Sequence, residues 1–174
     1  MQRYTKTAML IHWLTALLII AAFFLGLTMT EIHGITPTKL KYFSWHKWLG
    51  VTVLLLAVLR VLWRRANRPP PHPLGMPAWQ AMAADATHLL LYLLIFAVPL
   101  SGYLYSSAAG VPVVYLGMIP LPTLIEANAE LKPILKTVHY VLTMTMAAAV
   151  VGHVLAALKH QFIDRDGVLR RMLP

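Results

Sequence analysis

The sequence predicts an all-α integral membrane protein, a single domain over residues 1–174 arranged as an up-and-down bundle of four helices. Three observations carry that reading. Of the 174 residues, 59% are hydrophobic and only 12% charged, with a mean hydropathy of +0.66, whereas a soluble domain carries about 25% charged residues. A globule this small has no interior able to absorb the excess, so a bilayer is the economical solvent. The apolar residues also gather into four runs, each near the ~20 residues that cross ~30 Å of hydrocarbon as a helix. Finally, the net charge of +9 comes from basic residues clustered at the ends of those runs. That is the pattern of membrane topology, not of a basic face for nucleic acid, which is excluded as a partner.

The first run, about 8–29, follows Arg3 and Lys6 as a secretory signal would. It is too long for a signal core, and no small-residue cleavage site precedes Glu31. His12 sits near its start, and Gly26, fourteen residues on, shares its face. A loop over 30–42 with Pro37, Lys39 and Lys41 leads to the second run, about 43–63. That run opens on Trp45-His46-Lys47-Trp48 and carries Gly50 one turn further and Arg60 at its other end. Gly26 and Gly50 are expected to leave clearance for a bulky flat group. The stretch 64–79, rich in proline, cannot continue a helix, and His72 within it is expected to be solvated.

The third run, about 85–107, contains His88 near its start and Pro99 inside, where a kink is expected because neighbouring helices can satisfy the freed carbonyl. Residues 108–132 form a long connection whose IEANAELK segment is expected to be a short surface helix. Pro133 suits the first turn of the fourth run, about 133–161, and a short polar tail follows.

The histidines are what need explaining, because an imidazole within hydrocarbon is costly unless paired or liganded. His139 and His153 lie fourteen residues apart on the fourth run, roughly 21 Å along the axis and only ~40° short of four full turns. Both therefore face the same way, one near each membrane surface, past Thr143, Met146, Ala149 and Val150. With four antiparallel spans, depth pairs His12 with His153 at one face and His46 with His139 at the other. Two bis-histidine sites of this kind suit two iron porphyrins, a ligation that saturates both axial positions and favours electron transfer. The absence of cysteine excludes disulfides, thiolate metal sites and covalent c-type attachment, so both cofactors are expected to be heme b. His88 stays open as a replacement for His12 or His153. His160, seven residues beyond His153, is a candidate for a quinone carbonyl or for lipid headgroups, with Lys159 beside it. Arg60 is a candidate partner of a heme propionate or an interfacial snorkelling cation.

Ten basic residues fall on the side of the two termini and five, Lys39, Lys41, Lys47, Lys132 and Lys136, on the other. The positive-inside rule then places both termini in the cytoplasm, in a multi-pass membrane protein.

Four stretches, IHWL at 11–14, WHKWLG at 45–50, HLLLYLL at 88–94 and ALKHQFIDRDGVLRRM at 157–172, give the chain a resemblance. Over essentially its whole length it resembles the bacterial cytochrome b561 family, small diheme membrane cytochromes related to the cytochrome b subunits of hydrogenases. The resemblance implies ligands at His12, His46, His139 and His153. It also implies electron transfer between membrane quinone, ubiquinone or menaquinone, and a small redox substrate or partner protein at the outer face. One branch oxidises superoxide and reduces ubiquinone. An anionic substrate would be steered by Lys39, Lys41, Lys47, Lys132 and Lys136, although Glu31, Glu126 and Glu130 reduce that side to about +2. Two other readings are a heme-bearing electron-transfer subunit serving a separate dehydrogenase or hydrogenase, and a metal-ion carrier. The carrier is weakened because no acidic residue lies deep in a span.

Overall fold

The computed structural model of the chain describes residues 2–73 and 75–173. Four long helices dominate: α1 Lys6–Glu31, α2 Pro37–Ala66, α3 Ala78–Ala108 and α4 Leu131–Lys159. Three of them, α1, α3 and α4 together with its extension to Asp164, are long and apolar enough to cross a membrane. The fourth, α2, concentrates its charge at its ends, with Lys39, Lys41 and Lys47 at one and Arg60, Arg64 and Arg65 at the other. The fold is an all-α membrane bundle.

Local chemistry sets the helix boundaries. Thr5 caps α1, its hydroxyl accepting from Ala8 N at 3.2 Å. Thr36 caps α2 by accepting from Lys39 N at 3.1 Å, and Pro37 occupies the first turn, where a missing N–H costs nothing. This cap starts α2 about six residues before the expected position, so half of the expected 30–42 loop is helical. Helix α3 likewise begins at Ala78, ahead of the expected 85. Asn128 Oδ1 accepts from Glu130 N at 3.0 Å and Leu131 N at 2.9 Å and so launches α4. The expected surface helix over IEANAELK does not form: these residues are irregular until α4 begins. Upstream lies a short antiparallel hairpin, β1 Val114–Tyr115 with β2 Ile119–Pro120, pairing Val114 with Pro120 and Tyr115 with Ile119. Beyond α4 comes a π-helical turn, His160–Asp164, then Arg165 in the left-handed region with φ 54°.

The packing is that of two helical hairpins. Helix α1 lies against α2 and α3 against α4, α2 joins the two, and α1 and α4 hardly touch. A buried cluster of Val53, Ala57, Leu94, Ile95 and Met146 holds the bundle at mid-height. Met146 lies seven residues from both His139 and His153 on α4, so this core separates one layer of histidines from the other. Outward-facing residues such as Leu10, Leu17, Leu93 and Leu155 are all more than 60% exposed, the apolar flank a helix presents to lipid.

Both termini lie at one end, here the terminal face. Tyr4 N donates to Arg171 O at 3.2 Å, Trp13 Nε1 to Met172 O at 2.7 Å, Trp63 Nε1 to Thr5 Oγ1 at 2.9 Å and Arg171 Nη1 to Pro71 O at 2.5 Å. The opposite end, the far face, is closed by the 109–130 connection. Trp48 Nε1 donates to Val114 O at 2.7 Å, Thr52 Oγ1 meets the Tyr115 hydroxyl at 2.9 Å, and the Tyr103 hydroxyl donates to Pro122 O.

Candidate functional site

Each face of the bundle brings two helix-borne histidines together. At the far face the rings of His46 (α2) and His139 (α4) stand 6.2 Å apart between centroids, inclined at 85°. At the terminal face His12 (α1) and His153 (α4) stand 6.4 Å apart, at 78°. Metal–nitrogen bonds of about 2 Å, with about 1.1 Å from ring nitrogen to ring centre, put two imidazoles on opposite sides of one iron about 6.3 Å apart. Both pairs meet that spacing. His88 (α3) lies 5.5 Å from His153, closer than two rings across one metal.

The far-face histidines are fixed by their other nitrogens. His46 Nδ1 is 3.0 Å from Ala22 O, and His139 Nδ1 is 3.1 Å from Val98 O. A carbonyl can only accept, so in both rings Nδ1 carries the proton and Nε2 keeps the lone pair a metal needs. Glycines allow the approach. A Cβ on Gly102 would sit 2.9 Å from His139 Cε1, and one on Gly26 3.1 Å from His46 Cε1, whereas one on Gly50 would meet nothing within 4 Å. The expected clearance at Gly26 is therefore taken by the His46 ring itself. At the terminal face His12 Nδ1 is buried with no hydrogen-bond partner among the described residues. An unsatisfied buried donor costs about 1–3 kcal/mol, so an apolar core does not account for this imidazole. Nitrogen donors at this spacing, with glycine cradles behind two of them, fit a bis-histidine iron porphyrin at either face.

Beside the terminal pair, a cavity is lined by Arg60, Arg64, His88, Tyr92, Trp63 and Met172, among others. The guanidinium groups of Arg60 and Arg64 lie 5.3 and 5.5 Å from the Tyr92 ring centre. Arg60 thus lines this cavity together with His88. Arg64 and Tyr92 join it.

Lys159 closes α4, and His160 opens the π-helical turn beyond it. His160 Nδ1 is 2.6 Å from Asp166 Oδ2 and 3.2 Å from Asp164 Oδ2. Since carboxylates accept, the Nδ1 proton is theirs and Nε2 is free to bond elsewhere. Lys159 Nζ is 2.5 Å from Asp164. His72, expected to be solvated, is exposed and lies 3.2 Å from Asp85.

The five far-side lysines do not converge on one site. Lys39 Nζ donates to Ile32 O at 2.7 Å and Lys47 Nζ to Pro112 O at 3.3 Å. Lys41 lies over Trp45 at 4.7 Å, while Lys132 and Lys136 are exposed. Sequence reasoning also missed Ser101, a buried hydroxyl 3.0 Å from His139 Nδ1. No periodic signal marks it; only its place between Pro99 and Gly102 in an apolar run could have drawn attention.

Known proteins resemble the chain over nearly its whole length. The sequence model of the family described as prokaryotic cytochrome b561 matches residues 3–174. The chain is similar to "Cytochrome b561 homolog 2" of Escherichia coli strain K12, at 39% identity over 99% of this chain and 92% of the relative. It is also similar to "Cytochrome b561 homolog 1" of the same strain, at 30% identity over 100% and 98%. A third relative, "Probable superoxide oxidase CybB" of Yersinia pestis, is 32% identical over 99% of this chain and 97% of its own.

Proposed function

Because the chain belongs to the prokaryotic cytochrome b561 family, and is thus a multi-pass membrane b-type cytochrome in electron transfer, we propose that it carries two hemes and moves electrons across the bilayer. The donor in this reading is a small one at the outer face, superoxide, and the acceptor is membrane quinone. The observation that carries the reading is that α4 supplies one histidine to each of two imidazole pairs, at 6.2 and 6.4 Å, on opposite sides of a packed core.

His12 and His153 would hold one heme, His46 and His139 the other. Bound there, the hemes supply a one-electron couple at each face. The positive-inside rule makes the terminal face cytoplasmic and the far face outer, in a bacterial inner membrane. Arg60 offers its guanidinium to a carboxylate of the terminal-face cofactor. Lys39, Lys41, Lys47, Lys132 and Lys136 provide a weak positive field for an anion at the outer face. At the terminal face His160 donates Nδ1–H to Asp166 and presents Nε2 to a quinone carbonyl. With the two aspartates behind it and water beyond, it is placed to pass protons; Lys159, paired with Asp164, steadies the turn. The balance is two superoxide ions, one quinone and two protons giving two dioxygen molecules and one quinol. The similarity to "Probable superoxide oxidase CybB" supports this substrate.

A second reading is a heme-bearing subunit serving a separate dehydrogenase or hydrogenase. It draws on the far-face hairpin, where Met118 is 75% and Ile119 52% exposed, an apolar tip a partner protein would cover. The discriminating experiment uses the purified protein alone in lipid nanodiscs, with superoxide generated outside and ubiquinone reduction recorded. Quinol formation with two hemes bound per chain is expected. No quinol formation with both hemes intact would sink the superoxide reading and leave the subunit.

A further inference from the structure

Helix α3 is altered where it meets His139. Pro99 removes the N–H that would bond Ile95 O. Two residues on, the hydroxyl of Ser101, itself 6% exposed, lies 2.8 Å from Val98 O and 3.0 Å from His139 Nδ1. His139 Nδ1 also lies 3.1 Å from Val98 O. Only one assignment of protons satisfies all three contacts. The ring nitrogen must carry hydrogen, since Val98 O cannot donate. Ser101 Oγ therefore accepts from His139, and its own proton goes to Val98 O. Donating that proton makes the hydroxyl a better acceptor. Gly102, where a Cβ would fall 2.9 Å from His139 Cε1, keeps the ring close enough for the triangle to close.

We infer that Ser101 is a positioning and tuning residue for His139, drawing on its Nδ1–H so that the far-face ligand is more electron-rich than it would be on the backbone carbonyl alone. This rests on the reading of His139 as an axial ligand. A stronger pull on Nδ1–H raises ligand basicity and favours the oxidised metal. At the terminal pair, His12 Nδ1 meets no such hydroxyl among the described residues. Ser101 thus contributes to making the far-face couple the lower of the two, which favours movement of single electrons from the far face to the terminal face. No bond is made or broken in that movement.

The test is spectroelectrochemistry of the full-length protein in nanodiscs, resolving the two heme couples in wild type and in Ser101→Ala, Ser101→Cys and Ser101→Thr. In Ser101→Ala one couple is expected to move up, by about tenfold in the reduced-to-oxidised ratio at fixed poise, or about 59 mV for one electron, with the other unmoved and heme content unchanged. Threonine, which keeps the hydroxyl, restores the wild-type value. Cysteine, a weak acceptor of similar volume, gives a smaller rise and is the arm to read if the alanine variant fails to accumulate. Neither couple moving, both moving together, or threonine behaving as alanine overturns the inference. Wild type carrying fewer than two hemes would instead overturn the two-heme reading on which it stands.

Discussion

His46 on α2 and His139 on α4 face each other with ring centres 6.2 Å apart and planes inclined at 85°, each tied through Nδ1 to a carbonyl of a third helix or its neighbour. The ties run to Ala22 on α1 and Val98 on α3, so all four helices meet at this one pair. On the two-heme reading, removing either ring would take away one iron ligand, and His139→Ala is expected to lose one heme per chain. His153→Ala is expected to lose the other. His88→Ala should keep both, because its 5.5 Å separation from His153 is too short for a shared iron. Heme content with reduced-minus-oxidised spectra checks all three, and a missing heme in His88→Ala would reassign the terminal-face ligand.

The glycines make a graded test. Gly102→Ala would press a methyl to 2.9 Å from His139 Cε1, whereas Gly152→Ala, at an exposed position of α4, meets nothing within 4 Å. Overpacking of the first kind costs about 1–3 kcal/mol. Gly102→Ala is thus expected to unfold at lower temperature and bind less heme, and Gly152→Ala to match wild type or exceed it slightly, since alanine suits a helix better by about 1 kcal/mol. Thermal unfolding followed at the heme absorbance reads both, and equal behaviour of the two variants would refute the cradle.

Arg60 lies over Tyr92 beside Arg64 and His88, so Arg60→Gln removes a cation next to the terminal-face pair while leaving a similar volume. The couple of that site is expected to fall, because a nearby positive charge favours the reduced metal, while the far-face couple stays in place. Redox spectroscopy decides, and a shift confined to the far-face couple would show that Arg60 serves the other site.

At the turn beyond α4, Asp166→Asn leaves His160 without its 2.6 Å carboxylate partner but touches none of the four paired histidines. Quinone reduction is expected to slow by about 10²-fold, the lower end for a lost general acid–base group, and His160→Ala to do at least as much. Heme spectra should be unchanged in both. Full turnover in both variants would remove this turn from the quinone site.

Most of the architecture was legible because it follows from apolar runs and helical period, both local properties of the chain. Histidine depth was legible too, once topology fixed which end of each run faced which side. What escaped reading depends on contacts between distant residues or on misleading chemistry. Lys39 and Lys41 made the start of α2 look like loop, although Thr36 and Pro37 spell a cap and a first turn. The far-face hairpin turns through Leu116 at φ 54°, a residue that carries none of the usual signal for a left-handed position. Ser101 meets His139 across 38 residues, and nothing in its own neighbourhood announces a partner there.

Helix α4 is made last, and it contributes to both imidazole pairs. A ribosome that has delivered three helices to the bilayer has produced a chain with only half of each clamp. On the two-heme reading, cofactor capture would belong to the end of biogenesis, after His139 and His153 have entered the membrane. Any chain cut short before Leu131 should emerge colourless however well its first three helices insert.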